Sequence, residues 1–326
     1  MTSTFSAWRI ARYGGPERLT PVTAPMPAPG RGEILIRIHA SAVTRADGMM
    51  RAGRPRFARV FLGLRRPRRN LSGTGLSGEV IAVGEGVRRF AVGDAVFGEA
   101  GLNFGANASH ICLNEGGTLM HKPATLSHEA AAVMCDGPLT SYHFLHQVAQ
   151  LQAGQRVLIL GGAGSLGSAA VQIAAAAGAD VTATCSRRNQ AMVADLGAAR
   201  VVDYTTEDVY AGHDRYDVVF DTLGVGSFAA ARASLAPHGQ YLCPVLSLTL
   251  LAAMLSSRLR GGQRAGFVAV GLQPPVVLRG HLDALLAMVA AGTLLPLLDR
   301  VYPLANLVEA HRHMETGHKR GNVVVV

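Results

Sequence analysis

Arg156-Val157-Leu158-Ile159-Leu160-Gly161-Gly162-Ala163-Gly164-Ser165-Leu166-Gly167-Ser168-Ala169-Ala170 is the stretch that decides the fold of this chain. Arg156 to Leu160 form an apolar, β-branched run of buried-strand type, and the Ala-rich residues from Ser165 to Ala177 read as a helix. Gly162, Gly164 and Gly167 stand between them in GxGxxG spacing, with Gly161 ahead. The spacing alone is weak evidence. Directly after a strand and at the opening of a helix, it predicts a pyrophosphate-binding turn. Gly162 permits the tight turn, Gly164 lets backbone come close to the pyrophosphate, and Gly167 lets helix and strand approach. Ser165 and Leu166 begin the helix, whose N-terminus offers N–H groups and positive dipole to the anion.

Working outward, residues 125–265 alternate strand with helix. After the glycine turn come strand Val181 to Cys185, helix Asn189 to Leu196 and strands Arg200 to Val202 and Tyr216 to Phe220. A helix near Ser227 to Leu235 and strand Gly239 to Leu242 follow. Such repeats predict a doubly wound parallel sheet, an α/β dinucleotide-binding domain of Rossmann type. Residues 1–124 read as β-rich, with strands at Glu33–Ile38 and Gly78–Val83, a turn and strand at Phe90–Phe97, and a turn-rich connector from Pro21 to Gly32. The tail, 266–326, has a strand at Phe267–Val270, helices near Val277–Ala291 and Leu304–Glu315, and the ending Asn322-Val323-Val324-Val325-Val326. It is expected to rejoin the first domain.

Composition bounds the function. At 326 residues, 49% hydrophobic and 16% charged, the chain suits two packed domains. A net charge of +9, carried largely by Arg, favours anions. Aromatics are only 6%, and no nucleic-acid module appears, so no specific nucleic-acid partner is expected. The four cysteines show neither CxxC nor disulfide-framework spacing, the first residues lack a signal-type apolar core, and the apolar run Leu242 to Leu255 is broken by Pro244. A cytoplasmic protein with reduced thiols and no transmembrane segment is expected.

The second strand of the alternating block should carry the choice of dinucleotide. NAD enzymes place a carboxylate at its end, about 20 residues past the glycines. Here the strand ends in Cys185-Ser186-Arg187-Arg188-Asn189, with Asp180 at its opposite end. Ser186, Arg187 and Arg188 suit a 2′-phosphate, since Arg–phosphate contacts are strong and directional. The cofactor read from these residues is NADPH.

Val80 to Gly98 (VIAVGEGVRRFAVGDAVFG), Gly137-Pro138-Leu139-Thr140, the glycine turn, and the ending from Gly317 to Val324 together resemble the medium-chain dehydrogenase/reductase superfamily, specifically its zinc-independent quinone oxidoreductase-like branch. The resemblance covers nearly the whole chain. It implies a GroES-like β-rich catalytic domain, 1–124 with 266–326, interrupted by a Rossmann domain, 125–265. It also implies Thr140 beside the nicotinamide, Tyr204 near the 2′-phosphate, Gly224 and Val270 toward the nicotinamide end, and Asn322 over the cofactor. A homodimer is expected. Zinc-dependent relatives carry a Cys where this chain has Thr44, and a Gly-His-Glu triplet where it has Gly73-Thr74-Gly75. Only one Cys falls between Gly98 and Cys112 where they carry four, so no metal is expected. The family's Asn-Pro-x-Asp element appears as Thr44-Arg45-Ala46-Asp47, and the proton-donating Tyr of enoyl-thioester reductases falls at Pro55.

No catalytic side chain is identified from sequence. Thr44, Asp47 and Tyr142 are weak candidates: Asp47 either orients substrate or caps a helix, and Tyr142 and His143 suit core packing as well as substrate contact. Lys319 and Arg320 read either as cofactor-mouth residues or as surface charge. Arg51 to Arg69 holds eight Arg around an apolar patch, Val60-Phe61-Leu62. It reads as a solvated loop, a lid steering anionic substrates, or a membrane-surface contact. The expected activity is hydride transfer from NADPH to a quinone or α,β-unsaturated carbonyl. Alternatives are reduction of a ketone or aldehyde, a polyketide-pathway reductase of secondary metabolism, and a cofactor-binding structural or RNA-binding protein.

Overall fold

The computed structural model describes residues 3–211 and 215–326, except the side chains of Ala58, Phe61 and Leu62. In chain order its strands are β1 (Thr4–Ile10), β2 (Leu19–Pro25), β3 (Glu33–Val43), β4 (Gly75–Val83), β5 (Ala95–Glu99), β6 (His110–Asn114) and β7 (Thr118–His121). Then come β8 (Arg156–Leu160), β9 (Asp180–Cys185), β10 (Arg200–Asp203), β11 (Tyr216–Asp221), β12 (Leu235–Leu242), β13 (Arg264–Gly266), β14 (Leu298–Tyr302) and β15 (Asn322–Val325). The chain divides into two compact units. One comprises Met1–Asp136, Gly271–Leu282 and Pro296–Val326; the other comprises Gly137–Val270 and Asp283–Leu295.

The first unit is β-rich, as expected. Its main sheet runs β14-β15-β3-β4-β5-β7, with β6 also on β3, and β1 pairs with β2 in a separate ribbon. Ile34, Ile36, Leu76, Val80, Val96 and Leu119 alternate inward from these strands into a buried core. β15 closes antiparallel onto β3, Val324 opposite Ala42, so the C-terminal valine run enters this sheet. Part of the predicted connector Pro21–Gly32 is instead strand: β2 reaches Pro25, with Pro21 opposite Trp8. β2 pairs only with β1, and an edge strand tolerates proline because its missing N–H leaves no ladder bond unmade.

The second unit is the expected doubly wound sheet. Its order is β10-β9-β8-β11-β12-β13, and every pairing is parallel. Counted from β8, the order is 3-2-1-4-5-6, whose switch point lies between β8 and β11. Val157, Leu158 and Ile159 are fully buried, which accounts for an unbroken apolar run rather than an alternating one. The strand predicted at Phe267–Val270 is displaced. β13 ends at Gly266, because its register against Gln240–Leu242 admits only Arg264–Gly266, and Phe267 turns to pack on the core beside Tyr241 and Cys243. Among the described residues no helix is long and apolar enough to cross a membrane.

Candidate functional site

The carboxyl ends of β8, β9 and β11 carry the features that the sequence singles out. β8 runs into Gly161, which takes the left-handed conformation at φ 82°. The tight turn therefore rests on Gly161 rather than Gly162. Hydrogen bonds from β9 hold it: Gly161 N–H donates to Thr184 Oγ1 (3.1 Å) and Gly162 N–H to Thr184 O (2.8 Å). From the far side, Thr222 Oγ1 donates to Leu160 O at 2.7 Å.

The three motif glycines answer to different neighbours. A methyl group on Gly167 would sit 2.0 Å from Gly161 O, and one on Gly162 would meet Ala183 Cβ at 2.9 Å. Both are glycine because the protein packs against them. A methyl on Gly164 would meet nothing nearer than Gly161 O at 3.6 Å, an ordinary contact. Gly164 is the N-cap of helix Ser165–Ala176 and makes no side-chain cap. Open space and the first-turn N–H groups thus coincide there, and these residues fit a pyrophosphate.

Gly137 begins helix Gly137–Tyr142, and a methyl on it would lie 2.4 Å from Ser165 O. Ser141 Oγ donates to Leu166 O at 2.8 Å. Together they hold the Thr140 segment against the first turn of the glycine helix. Tyr142 stacks on His146 with ring centroids 4.2 Å apart, and His143 is buried.

At the end of β9, Arg187 and Arg188 are exposed in a short 3-10 turn, and Tyr204 is exposed just beyond β10. The sequence shows no carboxylate here, yet β10 brings one: Asp203 lies opposite Cys185 in register. Its Oδ1 accepts from Thr205 N–H (3.0 Å) and Thr205 Oγ1 (2.7 Å). Those bonds, and then Arg187, hold its pKa below the usual carboxylate range. Asp203 is thus engaged with protein donors, and Arg187 and Arg188 are exposed beside it.

A further carboxylate escaped the sequence reading. Asp221, fully buried at the end of β11, accepts from the N–H groups of Leu223 (3.1 Å), Gly224 (2.8 Å), Val225 (3.3 Å) and Gly226 (2.7 Å). Tyr241 Oη donates to it at 2.7 Å. Burial, then the charge of Asp221, drives the Tyr241 pKa up and keeps the phenol a donor. The carboxylate fixes the loop carrying Gly224, which stands at φ 66° against Val245. The available signal was an Asp ending an apolar strand before Gly224-Val225-Gly226. Val270, also in the second unit, is buried at the start of a 3-10 turn.

Thr44, Asp47 and Asn322 belong to the first unit. Thr44 caps helix Arg45–Ala52 in a reciprocal box: its Oγ1 accepts from Asp47 N–H at 3.0 Å, while its N–H and hydroxyl donate to Asp47 Oδ2 at 2.9 Å. The other oxygen of Asp47 is buried without a partner. Desolvation outweighs the cap bonds and lifts its pKa to about 7. Glu99 is lifted to about 7 as well, by burial and then by the charges of Asp136 and Asp47. Lys319 is half-buried, its Nζ donating to Gly321 O at 2.6 Å, and desolvation lowers its pKa, while Arg320 is exposed. Asn322 is buried, with its amide donating to Leu297 O at 2.9 Å.

Residues 30–119 match the alcohol dehydrogenase GroES-like domain, and residues 196–325 match a family described as zinc-binding dehydrogenase. The zebrafish (Danio rerio) mitochondrial NAD(P)H oxidoreductase RTN4IP1 is 29% identical, over 98% of this chain and 90% of its own. The solved quinone oxidoreductase of Coxiella burnetii is 29% identical with a TM-score of 0.86, covering 99% of both chains. A mycobacterial protein solved with NADPH is 26% identical with a TM-score of 0.85, again over 99% of both. The residues here do not fit the metal that one family description names. Thr44 and Thr74 offer hydroxyls, the former committed to a cap, and no group of three or more His, Cys, Asp or Glu able to hold an ion gathers among the described residues.

Proposed function

The chain belongs to the medium-chain dehydrogenase/reductase superfamily, and from that premise we propose that it is an NADPH-dependent reductase delivering hydride to a quinone or an α,β-unsaturated carbonyl, with no metal in the step. It acts as an oxidoreductase of the zinc-independent branch. One observation carries the reading: Gly164 is a glycine that the protein's own packing does not require, at an uncapped helix N-terminus, at the switch point of a doubly wound sheet. Bound there, the dinucleotide supplies a hydride.

The chain's own residues do the rest. Gly162, Gly164, Ser165, Leu166 and Gly167 receive the pyrophosphate. Ser186, Arg187, Arg188 and Tyr204 hold the 2′-phosphate. Thr140, Gly224 and Val270 position the nicotinamide end, Gly224 through the grip of Asp221 on its loop. Without a Lewis acid the acceptor must delocalise the added charge itself, which quinones and enones do by forming a hydroquinone anion or an enolate. Orientation and exclusion of water are then what the protein contributes. Solvent or a protein group supplies the proton. The protein works as a homodimer in this reading: Leu248, Leu251, Leu255 and Leu259 line one exposed face of helix Leu248–Arg260, which a second copy would cover.

NADPH oxidation followed at its absorbance with a panel of quinones, enones and aldehydes tests the activity, and absence of turnover with every quinone and enone refutes it. Cofactor choice is tested by Arg187→Ala with Arg188→Ala. Loss of charge-assisted phosphate contacts should raise KM for NADPH about 10- to 100-fold and leave NADH nearly unchanged. An equal rise for both nucleotides refutes the assignment.

A further inference from the structure

Between Asp47 and Glu79 the chain carries eight Arg and no acidic residue. Two of the eight are structural. Arg51 is fully buried, bonded to Gly14 O at 3.0 Å and paired with Glu315. Arg59 donates to Gly53 O and Ala52 O, both at 2.9 Å, with its guanidinium over the Tyr13 ring. Tyr13 Oη also donates to Gly63 O at 2.7 Å. These contacts give the segment a fixed base.

Above that base the chain turns sharply. Gly63 stands at φ 120°, and a methyl there would fall 2.1 Å from Arg66 O, so only glycine closes the bend. The bend presents Leu64, 72% exposed, directly beside Arg65 and Arg66, which are also exposed. Val60 is 62% exposed, and Leu102 is 58% exposed on the neighbouring turn, whose carbonyl accepts from Arg69 at 3.4 Å. Of the candidate apolar patch Val60-Phe61-Leu62, Val60 alone is described by its side chain.

We propose that this arginine-rich bend is a docking surface for a membrane bearing anionic lipid headgroups. Charge complementarity selects the occupant. The exposed Arg65 and Arg66, in a segment without a carboxylate, match a plane of negative headgroups, and aliphatic tips beside them can enter the headgroup–acyl boundary while the guanidiniums remain at its polar level. The most exposed apolar residues, Leu64, Val60 and Leu102, are aliphatic, and Phe57, less exposed at 41%, is the one aromatic beside them among the described side chains. A strand of nucleic acid would call instead for aromatic stacking at these places. The proposal adds to the reductase reading a site at which an apolar acceptor dissolved in lipid could be met, and it does not depend on that reading.

Flotation of the full chain with vesicles tests it, using phosphatidylcholine alone or mixed with phosphatidylglycerol. The protein should float with the mixed vesicles at low salt and be released as salt rises, because the attraction is screened. At about fivefold per basic residue, Arg65→Ala with Arg66→Ala should lower partitioning roughly 25-fold. Leu64→Ser, which keeps every charge, should lower it several-fold. NADPH oxidation by both variants should match the parent, which separates failure of docking from failure of the enzyme reading. Absence of flotation, equal flotation with phosphatidylcholine alone, or insensitivity to the arginine pair overturns the proposal. So does arginine-dependent binding of a single-stranded RNA without binding of vesicles.

Discussion

Gly164 and Gly167 lie three residues apart, and one added methyl group should separate their duties. At Gly167 it would strike Gly161 O at 2.0 Å and Gly162 Cα at 2.8 Å, backbone atoms that cannot swing aside. Gly167→Ala should therefore cost about 3 kcal/mol of stability as overpacking. At Gly164 the same methyl enters open space, so the loss should be no more than about 1 kcal/mol, the difference between Gly and Ala at an N-cap. NADPH affinity should nevertheless fall at least about tenfold, because the methyl occupies the path of the pyrophosphate. Urea unfolding and equilibrium titration of each variant check both halves, and a Gly164→Ala protein that binds NADPH normally sinks the site. A second residue-scale prediction concerns pH. Asp47 and Glu99 hold their protons up to about pH 7 in the folded chain, whereas in the unfolded chain they release them near the ordinary carboxylate values. The folded state thus binds more protons between roughly pH 4 and 7, and their contribution falls as pH rises through that window. Buried His311, lowered to about 3 first by desolvation and then by Arg51, contributes with the opposite sign: its stability is present above about pH 6.5 and is lost on acidification. Asp47→Asn with Glu99→Gln should leave the histidine slope alone, so the contribution of these groups to the urea midpoint should turn from a fall between pH 4 and 6.5 in the parent to a rise in the variant. Parallel profiles would show that neither acid stays protonated.

At the scale of an element, the loop after β11 is organised by one carboxylate facing four N–H groups and a phenol. Asp221→Asn puts an amide donor against donors already there, and should cost about 2–3 kcal/mol and weaken NADPH binding as Gly224 loosens. Tyr241→Phe removes one bond of the five and should cost about 1.5 kcal/mol with a smaller effect on binding. Chemical denaturation beside NADPH titration checks the ranking, and equal binding by parent and Asp221→Asn would show that the loop plays no part. Elements also show why the chain was partly legible. The strand–glycine–helix unit could be read because its meaning is local: β8, the turn and the helix are contiguous in sequence. Asp203 and Asp221 could not. Asp203 reaches the end of β9 only through the parallel register that sets it opposite Cys185, and Asp221 matters only because a loop folds back over it and Tyr241 arrives from β12. β2 and β13 were misplaced for the same reason, since each is defined by the partner it finds rather than by its own pattern. Asp47 was legible as either a substrate or a capping residue, and the structure commits it, with Thr44, to a cap.

Over the whole molecule, each unit has an apolar core of its own, one built from Ile34, Ile36, Leu76 and their neighbours, the other from Leu158, Val219, Tyr241 and theirs. A unit with its own core opens as a cooperative block, and hydrogen exchange reads that opening strand by strand. Most of the proposed cofactor contacts, from Thr140 to Val270, fall in the second unit. Saturation with NADPH should therefore act unevenly. At a ligand concentration one hundred times Kd, linkage stabilises the bound form by about 2.7 kcal/mol, which slows exchange through full opening roughly a hundredfold. That slowing should appear at the amides of β8, β9 and β11, with a much smaller change in β3, β4 and β5. NADH at the same concentration should slow them less, since Arg187 and Arg188 have no 2′-phosphate to hold. If the nucleotide slowed the strands of the two units equally, the molecule would open as one block. If it slowed neither, the glycine turn would not be a nucleotide site.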